Sequence, residues 1–144
     1  MSDVIIKVVD LAEEFAAIKG IRIAVFQDEQ GVDSALEFDG KDDISQHLIA
    51  YLDDQAVGTA RIRYLDEQTA KVERLAVLSN ARGYGIGKKI MEKALLVIAS
   101  QNISEVVVHA QEYIKGLYEK LDFIAVGQIF EEAGISHVEM RKKL

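Results

Sequence analysis

The 144 residues include 24 acidic and 17 basic side chains, for a formal net charge of −7, and 49% of them are apolar. This length and apolar share predict one domain over residues 1–144 with a buried core, and they disfavour a disordered chain. The negative charge argues against a nucleic-acid partner, which would need a basic face. It either favours cationic substrates through long-range steering or only keeps the protein soluble.

Three features that are absent from the sequence bear on the cellular compartment and on membrane contact. There is no cysteine, which excludes disulfides, thiolate metal sites and a cysteine nucleophile and fits a reducing compartment. The first residues contain no basic stretch followed by a long apolar run, so no signal peptide is predicted. No apolar run approaches the ~20 residues that span a bilayer. We therefore expect a cytoplasmic protein with no membrane partner.

In the first half of the chain, one strand and a helical region precede three further strands. Residues 4–9 predict a short strand, and Asp10 followed by Glu13 resembles a capping box at a helix start. Gly20 interrupts the apolar pattern, so one long helix and two short helices are both open. Residues 27–43 are polar and acidic and predict a loop. Strands are then predicted over residues 47–52, 56–64 and 70–77.

In the second half, helices separate the strands. A glycine-rich turn leads into an amphipathic helix that begins near Ile86, with Asn102 as its predicted end. Residues 105–110 predict a strand, and residues 112–121 predict a second amphipathic helix. The last two strands, residues 124–130 and 137–141, read as a hairpin. This order predicts an α/β (α+β) fold whose mixed, mostly antiparallel sheet of about six to seven strands is flanked by helices. A doubly wound parallel sheet is excluded, because it needs helices between all strands.

The turn Arg82-Gly83-Tyr84-Gly85-Ile86-Gly87-Lys88 joins a predicted strand to a predicted helix. Glycines let backbone N–H groups approach an anion closely, and a helix N-terminus adds partial positive charge. The turn therefore suits a phosphate or pyrophosphate, although glycines alone are also typical of a plain strand-to-helix turn. The turn does not match the dinucleotide-binding fingerprint, which requires glycine where Lys88 stands. It does not match a Walker A loop either, which requires glycine where Arg82 stands.

Three segments resemble the GNAT superfamily of N-acetyltransferases. Residues 72–77 followed by 82–87 are similar to its acetyl-CoA motif, which reads Gln or Arg, any two residues, Gly, any residue, then Gly or Ala. Residues 111–123 resemble the family's later helix, with Asp122 in place of the usual glycine, and Asp tolerates a left-handed backbone. Residues 22–30 resemble the ElaA-like subgroup of small bacterial members. The element order also matches, so the resemblance covers essentially the whole chain.

The resemblance implies a GNAT-like fold and an N-acetyltransferase that uses acetyl-CoA as its acyl donor. In this family the pyrophosphate lies on the glycine-rich turn, and the pantetheine arm runs along the preceding strand like an added strand. An N–H near Leu75 would stabilise the oxyanion of the transition state. Gln111 stands where many relatives have an asparagine that contacts the arm. The residues implied to bind the donor are Leu75, Ala76, Val77, Arg82, Gly83, Tyr84, Gly85, Ile86, Gly87, Lys88 and Gln111.

Acyl transfer to an amine needs two proton movements, from the substrate ammonium and to the departing thiolate. Glu73 is the candidate base, because strand alternation predicts that Glu73, Leu75 and Val77 share one face, and some relatives hold a base at this position. The alternative is that Glu73 is a surface carboxylate or pairs with Arg74. Tyr118 is the candidate acid, since the family's tyrosine falls at this point of its helix. The alternative is a tyrosine that only packs in the core.

The acceptor is the least defined part of the site. In the GNAT fold the early helix and loop form one wall of the acceptor pocket, so Phe26 and Glu29 are the candidates. A carboxylate would hold an ammonium, and an aromatic ring packs on a carbon chain or a cation. The alternative is that Phe26 belongs to the core and Glu29 is a surface charge. The acidic loop is also more often a solvated face than a binding site.

Three function classes remain open at this stage. The first is an acetyltransferase acting on a primary amine of a small molecule or peptide, and the second is a CoA-binding module without turnover. An unrelated phosphate-binding domain is disfavoured by the two failed motifs. GNAT proteins are often dimers, so a homodimer is one expected state. No metal site is predicted, because His47, His109 and His137 are scattered without ligand spacing to carboxylates.

Overall fold

The computed structural model describes residues 3–144 and contains one seven-stranded sheet with four α-helices in that range. A π-helical segment, Ile23–Glu29, continues the first helix, and short 3₁₀ turns precede the second strand and the third and fourth helices. In chain order the elements are β1 Val4–Val9, α1 Leu11–Arg22, α2 Ser34–Glu37, β2 Gln46–Leu52, β3 Gln55–Tyr64, β4 Thr69–Val77, α3 Ile86–Ala99, β5 Glu105–Gln111, α4 Lys115–Glu119, β6 Ile124–Glu132 and β7 Ile135–Lys143.

The strands follow the order β1-β2-β3-β4-β5-β7-β6 across the sheet. Every neighbouring pair is antiparallel except β4 and β5, which are parallel and joined through α3. A parallel pair needs such a crossover, whereas the antiparallel pairs β2–β3, β3–β4 and β6–β7 are closed by short turns. The predicted mixed, mostly antiparallel sheet with flanking helices is therefore confirmed.

A fork in the middle of the sheet creates the space for a site. β4 and β5 pair only over residues 69–71 and 105–107, and no further pairs join them within the described residues. β4 also carries a β-bulge, because two steps along β3 oppose three steps along β4. The extra residue is Arg74, whose φ of 57° lies in the left-handed region. A bulge bends and twists its strand, so the second half of β4 turns away from β5.

The bulge also changes which face each β4 side chain occupies. Ala70 and Val72 pack in the main core under α3, as Leu75 and Val77 do after the bulge. Ala76 lies on the opposite face, in a smaller cluster with residues of α1 and the segment that follows it. An uninterrupted strand would have kept odd and even positions on fixed faces. The prediction that Glu73, Leu75 and Val77 share a face is therefore wrong.

The helical regions differ from the predicted boundaries for local reasons. α1 continues through Gly20 but is kinked at Glu14, where the backbone is not helical, and its N-cap residue Asp10 makes no side-chain cap bond. The predicted loop over residues 27–43 contains α2, which Asp33 caps by accepting from the N–H of Ala35 at 2.8 Å. The helix predicted over 112–121 is shorter, since a 3₁₀ turn takes up its first residues. Within residues 3–144, no helix has the length and apolar character that crossing a membrane requires.

Asp122 offers a test of backbone strain at the end of α4. Its φ is 69°, and its side chain is 90% exposed with one distant partner, Lys142 at 4.0 Å. We expect Asp122→Gly to raise the free energy of unfolding by about 0.5 kcal/mol, because relief of a left-handed cost of about 1–2 kcal/mol is partly offset by glycine's chain entropy. Asp122→Ala should lower it instead. Urea unfolding of both variants measures the sign, and stabilisation by alanine would contradict the argument.

Candidate active site

The fork opens into a cleft of roughly 890 Å³. Its walls come from the second half of β4, the turn that precedes α3, α4, the end of β5 and the β6–β7 hairpin. Lys71 of β4 and Val107 of β5 form the last paired positions, so the residues that follow them diverge on either side of the gap. The edge of β4 beyond the bulge therefore has no strand partner on this side, and its polar backbone groups face the cleft.

The glycine-rich turn forms one end of the cleft. Gly83 and Gly85 have φ values of 90° and 73°, which a side chain would strain, and a Cβ at either would meet nothing within 4 Å. The backbone is therefore open to the approach of a ligand. Gly85 is the N-cap of α3, so the first N–H groups of a fourteen-residue helix point to this end. These features fit a pyrophosphate.

The predicted donor residues converge on this cleft with one exception. Tyr84 is 57% exposed and lies outside the lining. The predicted donor residues that line the cleft are Leu75, Ala76, Val77, Arg82, Gly83, Gly85, Ile86, Gly87, Lys88 and Gln111.

Glu29 lies beside the donor turn instead of in an acceptor pocket. Its carboxylate accepts two hydrogen bonds from Arg82, with Oε1 at 2.7 Å from Nη2 and Oε2 at 2.9 Å from Nη1. This bidentate bond raises the pKa of Arg82 above its usual value. Glu29 does not line the cleft. The structure thus gives this carboxylate a partner that the sequence pattern did not reveal, and it is not free to hold an ammonium.

Gln30 makes a second bridge across the cleft mouth. Its side-chain amide and that of Gln111 bond reciprocally, at 2.9 and 3.2 Å, and Gln30 also reaches the hydroxyl of Tyr113 at 3.5 Å. Gln111 therefore lines the cleft as predicted but already has a polar partner. Adjacent residues 29 and 30 connect the π-helical segment to both sides of the fork.

Phe26 lies in the core and also at the cleft. Its side chain is 8% exposed and packs with Ile21, Val25 and Ala76 in the smaller core cluster. One surface of the ring also belongs to the cleft lining. Phe26 is thus a core residue whose accessible part forms an apolar section of the wall.

Tyr118 lies on α4 with its ring buried and its hydroxyl at the cleft. The ring packs edge-on against Phe123, with centroids 5.8 Å apart. The hydroxyl has no hydrogen-bond partner within residues 3–144, yet it is not among the polar atoms sealed from solvent, so it faces the cleft. Burial is the main reason that the pKa of Tyr118 is raised well above its usual value. The phenol is therefore un-ionised at neutral pH.

Glu73 has the opposite electrostatic environment. Its Oε1 accepts from Arg61 Nη2 at 2.9 Å and from Arg63 Nε at 2.5 Å, and its Oε2 lies 3.4 Å from Lys71 Nζ. Burial alone would raise the pKa of Glu73, but the bond from Arg63 and the charges of Arg61 and Lys71 outweigh it and lower the pKa to about 2. Both oxygens are occupied, and so weak a base is a poor proton acceptor.

The acidic segment after α1 is partly buried in ion pairs, contrary to the expectation of a solvated loop. Arg61 is 1% exposed and donates to both oxygens of Asp39, at 2.8 and 2.9 Å. Arg22, 2% exposed, bonds Glu37 at 2.5 Å and Asp42 at 2.6 Å. Two arginines on separate elements thereby hold residues 37–42 against the sheet. Composition could not reveal this, because the pairing partners are distant along the chain.

Two of the three histidines reach the cleft, which the sequence did not predict. His109 Nδ1 lies 3.1 Å from Glu132 and 3.3 Å from Lys71, and His137 Nε2 lies 3.7 Å from Glu132. His109 and Gln111 alternate on β5, so strand spacing was the signal that could have placed them together. His47 is buried against the carbonyl of Asp42 at 2.9 Å, away from the cleft. Within residues 3–144 no cluster of histidine and carboxylate ligands suits a metal ion.

The depressed pKa of Glu73 predicts a pH-dependent contribution to stability. The folded protein binds this proton less tightly than the unfolded chain, so the contribution is complete above the ordinary pKa of 4.5 and is lost as the pH falls through about 2. We expect the difference in unfolding free energy between wild type and Glu73→Gln to be largest at neutral pH and to shrink on acidification. Urea unfolding across this pH range measures it.

Glu131→Gln serves as the control, because Glu131 is exposed and makes no ion pair within the described residues. Its unfolding free energy should follow the wild-type pH profile. A Glu73→Gln profile parallel to that of wild type would show that the ion pairs do not stabilise the fold.

Comparison with known proteins agrees with this geometry. Residues 12–144 match the family model described as an acetyltransferase (GNAT) domain. YyaT of Bacillus subtilis is 38% identical over 127 residues, covering 86% of this chain and 85% of YyaT. Protein ElaA of Escherichia coli is 29% identical over 134 residues, covering 89% of this chain and 86% of ElaA.

Solved structures share the fold over almost the whole chain. An acyl-CoA N-acyltransferase from Pseudomonas aeruginosa superposes with a TM-score of 0.82 at 29% identity, covering 99% of both chains. A GNAT family acetyltransferase from Elizabethkingia anophelis, solved with acetyl-CoA bound, superposes with a TM-score of 0.76 at 14% identity, covering 98% of both chains. The forked sheet, the glycine turn at its mouth and the matched residues together show that this chain belongs to the GNAT acetyltransferase family.

Proposed function

We propose that the protein transfers the acetyl group of acetyl-CoA to a primary amine of a small molecule or peptide, by direct attack on the thioester. The observation that carries the proposal is the cleft between β4 and β5, which joins the glycine-rich turn to the hydroxyl of Tyr118. A nucleotide pyrophosphate needs the first feature, and acyl transfer uses the second. In support, the family comparison indicates acetyltransferase chemistry in general.

The donor site that we propose uses backbone more than side chains. The open N–H groups of the turn around Gly85 and of the first turn of α3 would bind the pyrophosphate, with Lys88 adding charge. The unpartnered edge of β4 at Leu75, Ala76 and Val77 would pair with the amide groups of the pantetheine arm. The same edge would direct an N–H at the thioester carbonyl, where negative charge develops.

Proton transfer in this proposal begins with loss of a proton from the acceptor ammonium to water in the cleft. The neutral nitrogen then attacks the carbonyl carbon, a C–N bond forms and the C–S bond breaks. The departing thiolate takes the proton of Tyr118, and the second proton, which the acylated nitrogen loses, returns to the Tyr118 phenolate through water. Glu73, with its low pKa and four neighbouring donor contacts, would keep the cations around it in place instead of acting as the base.

A CoA-binding module without turnover is the alternative, since such a module needs the glycine turn but no proton donor. The expectations of a cytoplasmic location and of a homodimer stay predictions. The proposed reaction does not depend on a dimer, because a single chain contains both the cleft and Tyr118.

The donor site is tested by replacing Gly85. Saturating CoA should raise the melting temperature of the wild type, since a ligand at about a hundredfold excess over its Kd adds about 2.7 kcal/mol to the unfolding free energy. Gly85→Val should lose the shift, because a side chain would occupy the space where the pyrophosphate approaches. Thermal melts with and without CoA, together with calorimetric binding, measure the effect.

Two controls separate ligand loss from backbone strain. Gly127→Val introduces the same conflict at a φ of 81° with open surroundings, but outside the cleft lining, so it should destabilise the free protein while keeping the CoA shift. Gly87→Ala adds a Cβ with only ordinary contacts, at 3.8 Å or more, and should also bind CoA. Wild-type affinity in Gly85→Val, or no CoA binding by the wild type, would remove the proposed donor site.

Tyr118→Phe separates the enzyme from the binding module. The ring would still pack on Phe123, so CoA affinity and melting temperature should stay near the wild-type values. Loss of the proton donor should lower kcat by about 10²–10⁴-fold with little change in the KM of the donor. Steady-state kinetics that follow free thiol release measure this, and the signal is clean because the protein has no cysteine. A wild-type kcat would refute the acid role.

A further inference from the structure

Three carboxylates line the cleft beside the bulge, and none has an oxygen that is both accessible and unpaired. Both oxygens of Asp39 accept from Arg61, and one also accepts from Arg74 at 3.3 Å. Both oxygens of Glu73 are likewise engaged by neighbouring cations. Glu37 has one unpartnered oxygen, but that atom is sealed from solvent. None of these three carboxylates offers an open acceptor atom to an incoming ammonium.

The cations of the same wall have donors to spare. Arg63 uses Nε and Nη2 on Glu73, which leaves Nη1 without a partner among residues 3–144. Arg74 uses Nε and Nη2 on the carbonyls of residues 37 and 36 and on Asp39, so its Nη1 is also unused in that range. Lys41 is exposed, lines the cleft and makes no side-chain bond to the described residues. A guanidinium donates in a planar fork, so its unused nitrogens favour carboxylate or phosphate oxygens.

Partial burial makes these spare donors effective. The side chains of Arg63 and Arg74 are only 18% and 21% exposed, so little water competes for them. Arg74 is also the bulge residue, and its φ of 57° is unfavourable for a side chain. The bulge directs this guanidinium over residues 36–39 and into the cleft wall. Strained residues that persist in a fold are often found at ligand-binding sites.

The opposite wall carries the complementary charge. Glu132 of β6 lines the cleft and is 46% exposed, with His109 and His137 as its partners. Among the described residues of the β6–β7 hairpin, Glu132 is the only carboxylate in the cleft lining, whereas Arg63, Arg74 and Lys41 line the cleft from other elements. The inner cleft is thus divided by charge, although the whole chain is acidic at −7.

We propose that the acceptor is a primary amine that also carries an anionic group, a carboxylate or a phosphate, bound by Arg63, Arg74 and Lys41. The inference rests on the proposed acetyl transfer and deepens it by naming the class of acceptor. It differs from the alternative that the negative net charge favours cationic substrates, because the carboxylates that line the cleft beside the bulge are engaged in internal ion pairs.

The test uses acceptors that differ only in the anionic group. Each common amino acid is assayed with acetyl-CoA beside its α-carboxamide and its decarboxylated amine, and aminoalkyl phosphates are assayed beside the corresponding amino alcohols. The carboxamide and the decarboxylated amine bracket the change in amine basicity. We expect at least one anionic amine to exceed both neutral analogues in kcat/KM by about tenfold or more, as expected of charge-assisted hydrogen bonds.

Variants then assign the preference to the wall. Arg63→Gln should raise the KM for the preferred anionic amine by roughly ten- to a hundredfold, and the exposed Lys41→Gln should raise it by about two- to fivefold. Both should lower kcat/KM for the neutral analogue by a much smaller factor than for the anionic amine. Lys143→Gln, on an exposed lysine outside the cleft, is the matched control and should change neither acceptor.

Binding of products provides a readout that does not depend on turnover. In the presence of saturating CoA, N-acetyl amino acids or N-acetylaminoalkyl phosphates should raise the melting temperature more than their uncharged analogues, and Arg63→Gln should abolish that difference. Equal or better use of the neutral amines, or equal stabilisation by charged and uncharged products, would overturn the inference while leaving acetyl transfer intact. Failure of CoA to bind would instead remove the proposed function itself.

Discussion

The pairing of β4 with β5 ends after Lys71 and Val107, and beyond that point each strand has an edge with no neighbour across the gap. Buried backbone N–H and C=O groups without partners destabilise a fold, so such an edge persists only where water or a ligand can reach it. The protein meets this requirement by keeping the gap open as a cleft. The roles that we propose for the β4 edge, the glycine turn and Tyr118 all depend on that opening, because the acyl donor would bind in it.

The bulge at Arg74 and the buried ion pairs act together to hold the fork open. One extra residue on β4 turns the strand, and its guanidinium then bonds the backbone of residues 36 and 37 and the carboxylate of Asp39. Arg61 also donates to the carboxylate of Asp39. Because both arginines need these acids, segment 37–42 is fixed against the sheet. Buried ion pairs add little net stability in general, so their clearer effect here is to specify one arrangement of the wall.

The sequence predicted the elements well because apolar periodicity is local information. Strand and helix order, the glycine turn and the convergence of the donor residues followed from spacing and from the family resemblance. The bulge was missed because Arg74 is an ordinary residue in a left-handed conformation, with no glycine to signal it. That single residue reversed the predicted face of Leu75 and Val77 relative to Glu73. The ion pairs of Glu29 and of the acidic loop were missed for another reason. Their partners, Arg82 and Arg61, lie far from them along the chain.

The two catalytic candidates line the same cleft, but their pKa values are shifted in opposite directions. Tyr118 lies among apolar rings, so the neutral phenol is favoured and its pKa rises. Glu73 is also buried, but three cations contact it, and its pKa falls to about 2. Groups with pKa values displaced in opposite directions have different roles at neutral pH, one keeping its proton and the other its charge. An ionised Glu73 neutralises part of the charge of the neighbouring cations and orients Arg63. The guanidinium nitrogen of Arg63 that Glu73 does not engage is then available to an acceptor.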